Sequence, residues 1–197
     1  MTDPETLAVY AAKVDEYNAL TSSGAARDPL LHAFLAALPK GAAVLDLGCG
    51  PGHSAAAMAQ AGCEVTATDA VPEMVALAAE HDGVTARIAT FNDIIETDAY
   101  HGIWANFCLL HAPRADMPRH LAALRRATKP QGILHIALKS GTGEKRDRLG
   151  RYYTYYTDAE LTGLLAKAGF TVTDRATGRE KGLDGAPADW IALRAHA

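Results

Sequence analysis

The sequence predicts an α/β fold built on a mostly parallel sheet, and three observations carry that prediction. Short apolar, β-branched runs alternate with helix-patterned runs along almost the whole chain. The first such run ends in a glycine-rich turn that opens into a helix, which is the first half of a β-α-β unit. Two helical stretches precede it, and the chain contains no internal repeat or low-complexity linker that would divide it.

In chain order, residues 6–20 form an amphipathic helical pattern carrying Tyr10 and Tyr17. Asp28 and Pro29 then serve as N-cap and first-turn residue for a helix over 30–38. Val44, Leu45 and Leu47 are strand formers. Pro51 suits the first turn of the next helix, whose strong formers span 54–60. A second strand over 64–68 stops at Asp69, and Pro72 opens a helix over 74–79. Residues 84–89 give a third strand, ending in Thr90, Phe91, Asn92, Asp93 and Ile94. A fourth strand covers 100–107, a basic amphipathic helix 117–127, and a fifth strand 133–138. Thr157 and Glu160 make a capping-box pattern for a helix over 161–168, closed by Gly169. Strands over 170–173 and 190–193 come last, joined by a Gly-, Lys- and Asp-rich loop.

The glycine turn carries the chemistry. Gly48, Gly50 and Gly52 remove every second side chain, so backbone can approach a ligand closely. A dinucleotide site needs Gly-x-Gly-x-x-Gly, but the third position here is His53. Asp46 at the strand end repels phosphate and suits a cationic ammonium or sulfonium group instead. Both features oppose a nicotinamide-dependent oxidoreductase. Asp69, 21 residues after Gly48, stands where a carboxylate takes the two hydroxyls of a ribose, or else caps the helix that follows.

Residues Val44 to Gly52 meet, position by position, the pattern apolar-apolar-Asp-x-Gly-Cys-Gly-x-Gly, and the chain thereby resembles the class I S-adenosylmethionine-dependent methyltransferases. Stretches 101–106, 109–114 and 129–132 look like those of small bacterial members, some near the tellurite-resistance methyltransferase group. The resemblance implies a Rossmann-like seven-stranded, mostly parallel sheet with helices on both faces and an antiparallel last strand. It implies a single domain over 1–197 with an N-terminal helical lid, about 1–38, and S-adenosylmethionine as cofactor. Asp46, Gly48, Cys49, Gly50, Gly52 and His53 would surround its methionine part and Asp69 its ribose. Ala70 and Met74 would pack near the adenine, and Phe91 would cover its ring or else belong to the core. Since Thr90 and Phe91 stand where family members often carry an acid, Asn92 or Asp93 would take the amino group. Asn106 would lie at the fourth strand end, and Tyr17, with Tyr10, over the cofactor as a lid. His111 is the candidate general base, should the acceptor have to lose a proton; the alternative is a histidine that hydrogen-bonds a loop or lies against the cofactor.

Composition sets limits on the function. With 197 residues one core suffices without staples, and three cysteines, Cys49, Cys63 and Cys108, suggest neither disulfides nor zinc. Eight histidines lack metal-ligand spacing, so no metal is expected. The acidic start and the lack of a long apolar run point to a cytoplasmic protein without a membrane span. A net charge of -4 argues against bulk nucleic-acid binding, although a local patch could contact RNA. Lys139, Lys145, Arg146, Arg148 and Arg151 outweigh Glu144 and Asp147 in a loop after the fifth strand. That excess suggests a small, anionic methyl acceptor; a solvated loop is the alternative. A non-catalytic S-adenosylmethionine-binding protein would carry the same motif. The acceptor atom and the oligomeric state stay open.

Overall fold

The computed structural model describes residues 3–22 and 24–197; Met1 and Thr2 of the acidic start, and Ser23, lie outside the described residues. The strands are β1 Ala43–Leu47, β2 Glu64–Asp69, β3 Val84–Ile88, β4 Tyr100–Asn106, β5 Thr128–Lys139, β6 Glu144–Arg146, β7 Tyr152–Thr154, β8 Thr171–Lys181 and β9 Pro187–His196. The helices are α1 Pro4–Ala12, α2 Val14–Thr21, α3 Pro29–Ala36, α4 His53–Gln60, α5 Pro72–Ala78, α6 Met117–Ala127 and α7 Asp158–Lys167.

Seven strands form one sheet in the order β3-β2-β1-β4-β5-β9-β8. The first five pair in parallel, and β9 runs antiparallel between β5 and β8, so the expected sheet with an inserted last strand is present. Four of the five residues of β1 are buried, as a central parallel strand covered on both faces requires. On one face α6 buries Met117, Leu121 and Leu124, and α7 buries Leu161 and Leu165, against Leu134, Ile136 and Leu138. On the other, Leu31 and Phe34 of α3 and Met58 of α4 pack with Val44, Trp104 and Ile133. Strand order reverses between β1 and β4, and a crevice opens there beyond the strand ends.

Local signals account for most boundaries. Asp28 accepts from the Leu30 N–H and starts α3, and the Thr157–Glu160 capping box starts α7. At the end of α7, Gly169 takes φ 92° while its N–H donates to Ala166 and that of Phe170 to Leu165, closing the helix with two backbone bonds.

The structure departs from the expected elements at four places. Residues 6–20 are not one helix: Lys13 leaves helical geometry, and the break brings the Tyr10 and Tyr17 rings to 5.2 Å, edge to face. In an unbroken helix they would be about 10 Å apart along the axis. Pro51 lies outside α4, which Gly52 begins from φ 84°. Much of the expected loop between the last two strands is strand, because β8 and β9 pair from Thr171 with His196 to Lys181 with Pro187. The basic stretch after β5 holds a small antiparallel pair, β6 with β7, rather than an open loop.

Candidate functional site

The turn from β1 to α4 is held by its neighbours as much as by its own glycines. Gly48 and Gly50 take φ 66° and 54°, which side chains rarely adopt. A Cβ on Gly48 would lie 2.3 Å from that of Cys108, so the turn also needs Gly48 for close packing on the end of β4. Gly50 lies under the Tyr17 ring, 3.1 Å from where its Cβ would be. Asp69 at the end of β2 clamps the turn across the sheet. One carboxylate oxygen accepts from the Gly50 N–H at 3.0 Å and the other from the Val71 N–H at 2.9 Å, leaving further lone pairs on both. The alternative role, capping the start of α5, is not met: Val71 is the N-cap of that helix and no side chain caps it.

Asp46 is buried, and its Oδ2 has no hydrogen-bond partner. Burial first, and the nearby Asp69 charge second, push its carboxyl up to about 7. An acid kept so far from water is ready to ionise against a cation placed beside it, and it lines a cavity open to ligand.

Two cavities meet at Tyr10, Tyr17, Gly48 and Phe107. The first, about 70 Å³, is bordered by Asp69, Ala70, Met74, Phe91 and His111. The second, about 780 Å³, is bordered by Asp46, Cys49, His53, Asn106, Lys139 and Trp190. Most of the expected site residues therefore converge on one crevice. His53 is fixed by Asn18 of α2 at 2.8 Å, and Asn106 by His135 at 3.1 Å.

Two expected ligand contacts are corrected. Gly52 borders neither cavity: a Cβ there would lie 2.7 Å from the Ala78 Cα, so its lack of a side chain serves the packing of α4 on α5. Asn92 is exposed on a helical turn, where Arg119 donates to it. Asp93 likewise caps that turn through Thr90, leaving Thr90 and Phe91 as the residues of this segment that border the cavity.

His111 is buried with both nitrogens engaged. Nδ1 lies 2.7 Å from the Tyr152 carbonyl oxygen, which can only accept, so Nδ1 carries the proton. Nε2 then accepts from the Tyr10 hydroxyl at 3.0 Å, and that hydroxyl accepts from Arg151 at 2.9 Å. Burial pushes the imidazole down to about 4, so it stays neutral at ordinary pH. The geometry matches the loop-bonding histidine better than the general base.

Three of the five basic residues after β5 are already partnered. Arg146 pairs with Asp3 at 2.8 Å, Arg148 lies 4.0 Å from Asp184, and the buried Arg151 pairs with Asp147 at 2.7 Å. These three arginines are structural ties and do not form a free anion-attracting patch. Sequence reasoning passed over Phe107 and Trp190 as site residues, and it read Lys139 as part of the basic excess without singling it out. Lys139 ends β5, and a strand's carboxyl end in such a sheet was the signal that could have found it.

Among the described residues no group of three or more His, Cys, Asp or Glu is placed to hold a metal, and no helix is long and apolar enough to cross a membrane.

Residues 44–132 match the family model described as "Methyltransferase domain". Over 109 residues the chain is 33% identical to a ubiquinone biosynthesis O-methyltransferase of Xanthomonas oryzae pv. oryzae, a match covering 52% of this chain and 45% of that protein. It is 30% identical over 158 residues to the protein of the same name from Xanthomonas axonopodis pv. citri, covering 69% of this chain and 65% of that one. The chain spans about half the length of the first of these curated relatives. Among solved structures it is similar to the 1,6-didemethyltoxoflavin-N1-methyltransferase of Burkholderia thailandensis, solved with 1,6-didemethyltoxoflavin and S-adenosylhomocysteine bound. The TM-score is 0.76 and the identity 26%, covering 100% of this chain and 91% of that one.

Proposed function

Because the chain belongs to the class I S-adenosylmethionine-dependent methyltransferase family, we propose that it transfers a methyl group from S-adenosylmethionine to a small-molecule acceptor. Asp46 is the observation that carries the reading. A buried carboxylate oxygen without a partner, beside a glycine turn, is a seat for a fixed cation, and the cofactor's methionine part ends in an ammonium group. Gly48, Cys49 and Gly50 would offer backbone to that part, with His53 and Asn106 beside it. The free lone pairs of Asp69 suit a ribose diol, and Ala70, Met74 and Phe91 border the space for the adenine.

When bound, the cofactor supplies an electrophilic methyl on positively charged sulfur. The chain's share is placement and exclusion of water. Tyr10 and Tyr17 reach over the glycine turn from α1 and α2, which supports a lid made of these two helices on one domain spanning 1–197; α3, within the expected lid of about 1–38, instead packs Leu31 and Phe34 into the core. In this reading His111 fixes Tyr10 and does not abstract a proton.

The names of the relatives support a heteroatom acceptor, oxygen in the curated proteins and nitrogen in the solved one. A cytoplasmic location is part of the same proposal. A nearer kinship with the tellurite-resistance group finds no support among the relatives named above. The test is calorimetric titration with S-adenosylhomocysteine, followed by transfer of labelled methyl from S-adenosylmethionine into a small-molecule extract. Binding with turnover is expected. Absence of binding, or an equal response to NAD, would refute the reading, and binding without turnover on any acceptor would leave a cofactor-binding protein.

A further inference from the structure

The second cavity is built differently on its far side. Lys139, Trp190 and Gly178 form one row across β5, β9 and β8, since Lys139 pairs with Trp190 and Trp190 with Gly178. Directly opposed residues in antiparallel strands share a face. A Cβ on Gly178 would lie 2.4 Å from the Trp190 ring, so the indole rests on Gly178 and borders the cavity as a flat wall. Any larger residue at 178 would tilt it away.

The carboxylates whose charge reaches Lys139 already have arginine partners. Asp147 is held by Arg151 at 2.7 Å, and Asp184 is 4.0 Å from Arg148. Glu180 and Lys181, also on the rim, carry opposite signs. Lys139 makes no ion pair among the described residues; its Nζ stands 3.9 Å from the centre of the Tyr153 ring. Arg151 and Lys145 add like charge near it, Asp147 and Asp184 opposite charge. A half-buried ammonium, desolvated and without a carboxylate of its own, is a seat for an anion.

Phe107 joins this wall to the cofactor side. It lines both cavities, its ring meets Trp190 edge to face at 6.1 Å, and it holds φ 54°, a strained conformation for an aromatic residue. Strain kept where two cavities join places that ring for a ligand.

We propose that the second cavity takes a planar aromatic acceptor with an ionised hydroxyl, the ring lying along Trp190 and Phe107 and the oxyanion held by Lys139. The inference deepens the methyltransferase reading and rests on it. The hydroxyl proton leaves to solvent as the oxyanion forms. The acceptor oxygen then makes the new O–C bond with a lone pair while the methyl–sulfur bond breaks, and that bond's electron pair stays on sulfur. No base is needed, which agrees with a neutral His111 whose nitrogens are both engaged.

The probe is 4-nitrophenol, planar and coloured when ionised, with nitrobenzene as the neutral control, each titrated onto protein saturated with S-adenosylhomocysteine. The wild type should bind 4-nitrophenolate at least tenfold more tightly than nitrobenzene, with the bound absorbance that of the anion. Lys139→Gln should abolish that preference while its affinity for S-adenosylhomocysteine and its melting temperature stay near wild type. Lys139→Arg should restore it in part. An undiminished preference in Lys139→Gln, or equal binding of both probes by the wild type, overturns the proposal alone. Failure of the wild type to bind S-adenosylhomocysteine overturns the methyltransferase reading and this proposal with it.

Discussion

Replacing Asp46 with Asn tests the site at its most unusual residue. Burial raises this carboxyl from 3.8 to about 7. At ~1.4 kcal/mol for each pH decade, holding Asp46 ionised in the folded protein costs about 4 kcal/mol. The folded state keeps a proton that the unfolded chain has lost between about pH 4 and pH 7, so this contribution lowers stability as pH rises through that window. The penalty is complete above it. Asn has the shape of the protonated acid and does not titrate. Urea unfolding of the ligand-free proteins should therefore show similar stabilities near pH 4 and an advantage for Asp46→Asn approaching about 4 kcal/mol near pH 8. Buried His111 and His135, pushed down to about 4 and about 3, act in the opposite sense as pH falls, but both proteins share them and the difference isolates residue 46. The same variant should lose about 1.5–3 kcal/mol of S-adenosylhomocysteine affinity, since an amide replaces the partner of an ammonium. A variant less stable than wild type near pH 8 would refute the burial argument, and unchanged affinity would remove Asp46 from the cofactor site.

Three further changes probe the surrounding structure. Gly50→Val combines a φ of 54° with a clash against Tyr17 and should abolish S-adenosylhomocysteine binding by calorimetry while circular dichroism stays native; normal binding would mean the turn is misassigned. Asp69→Ala should weaken that binding by about 1.5–3 kcal/mol, and an unaltered titration would take Asp69 out of the site. Arg151→Met leaves Asp147 buried without its partner and should cost about 3–5 kcal/mol in denaturant unfolding; a loss below ~1 kcal/mol would show the pair to be unimportant.

What could be read in the sequence was local. The β1 turn, Asp69, the caps of α3 and α7 and the bounds of α6 are each set by a few adjacent residues, and the structure places them as expected. The length of β8 was illegible because Asp174, Arg175, Arg179 and Glu180 face solvent on an edge strand, and only pairing with β9 makes that segment extended. The arginines after β5 misled for a related reason. Charge along the chain does not show that Asp3, more than a hundred residues earlier, or the buried Asp147 neutralises it. Gly52 matched a position in a pattern and Asn92 stood in for an acid the chain lacks, but what they touch is decided by α5 and by Arg119.

The tie between the chain's first helices and β7 bears on how fast and how tightly a ligand is taken up. Tyr152 donates its backbone N–H to Thr6 at 2.8 Å, Asp3 holds Arg146, and Tyr10 joins Arg151 to His111. With these contacts made, the first cavity is about 70 Å³, well below the ~300 Å³ where small-molecule sites begin. If the proposed cofactor places its adenosyl group there, α1 and α2 have to swing away to admit it. Apparent affinity then becomes the intrinsic affinity scaled by the fraction of molecules that are open, so a hundredfold bias toward the closed form would weaken uptake about a hundredfold. In that case substitutions that loosen the Asp3–Arg146 tie, which borders neither cavity, would speed its arrival and departure alike.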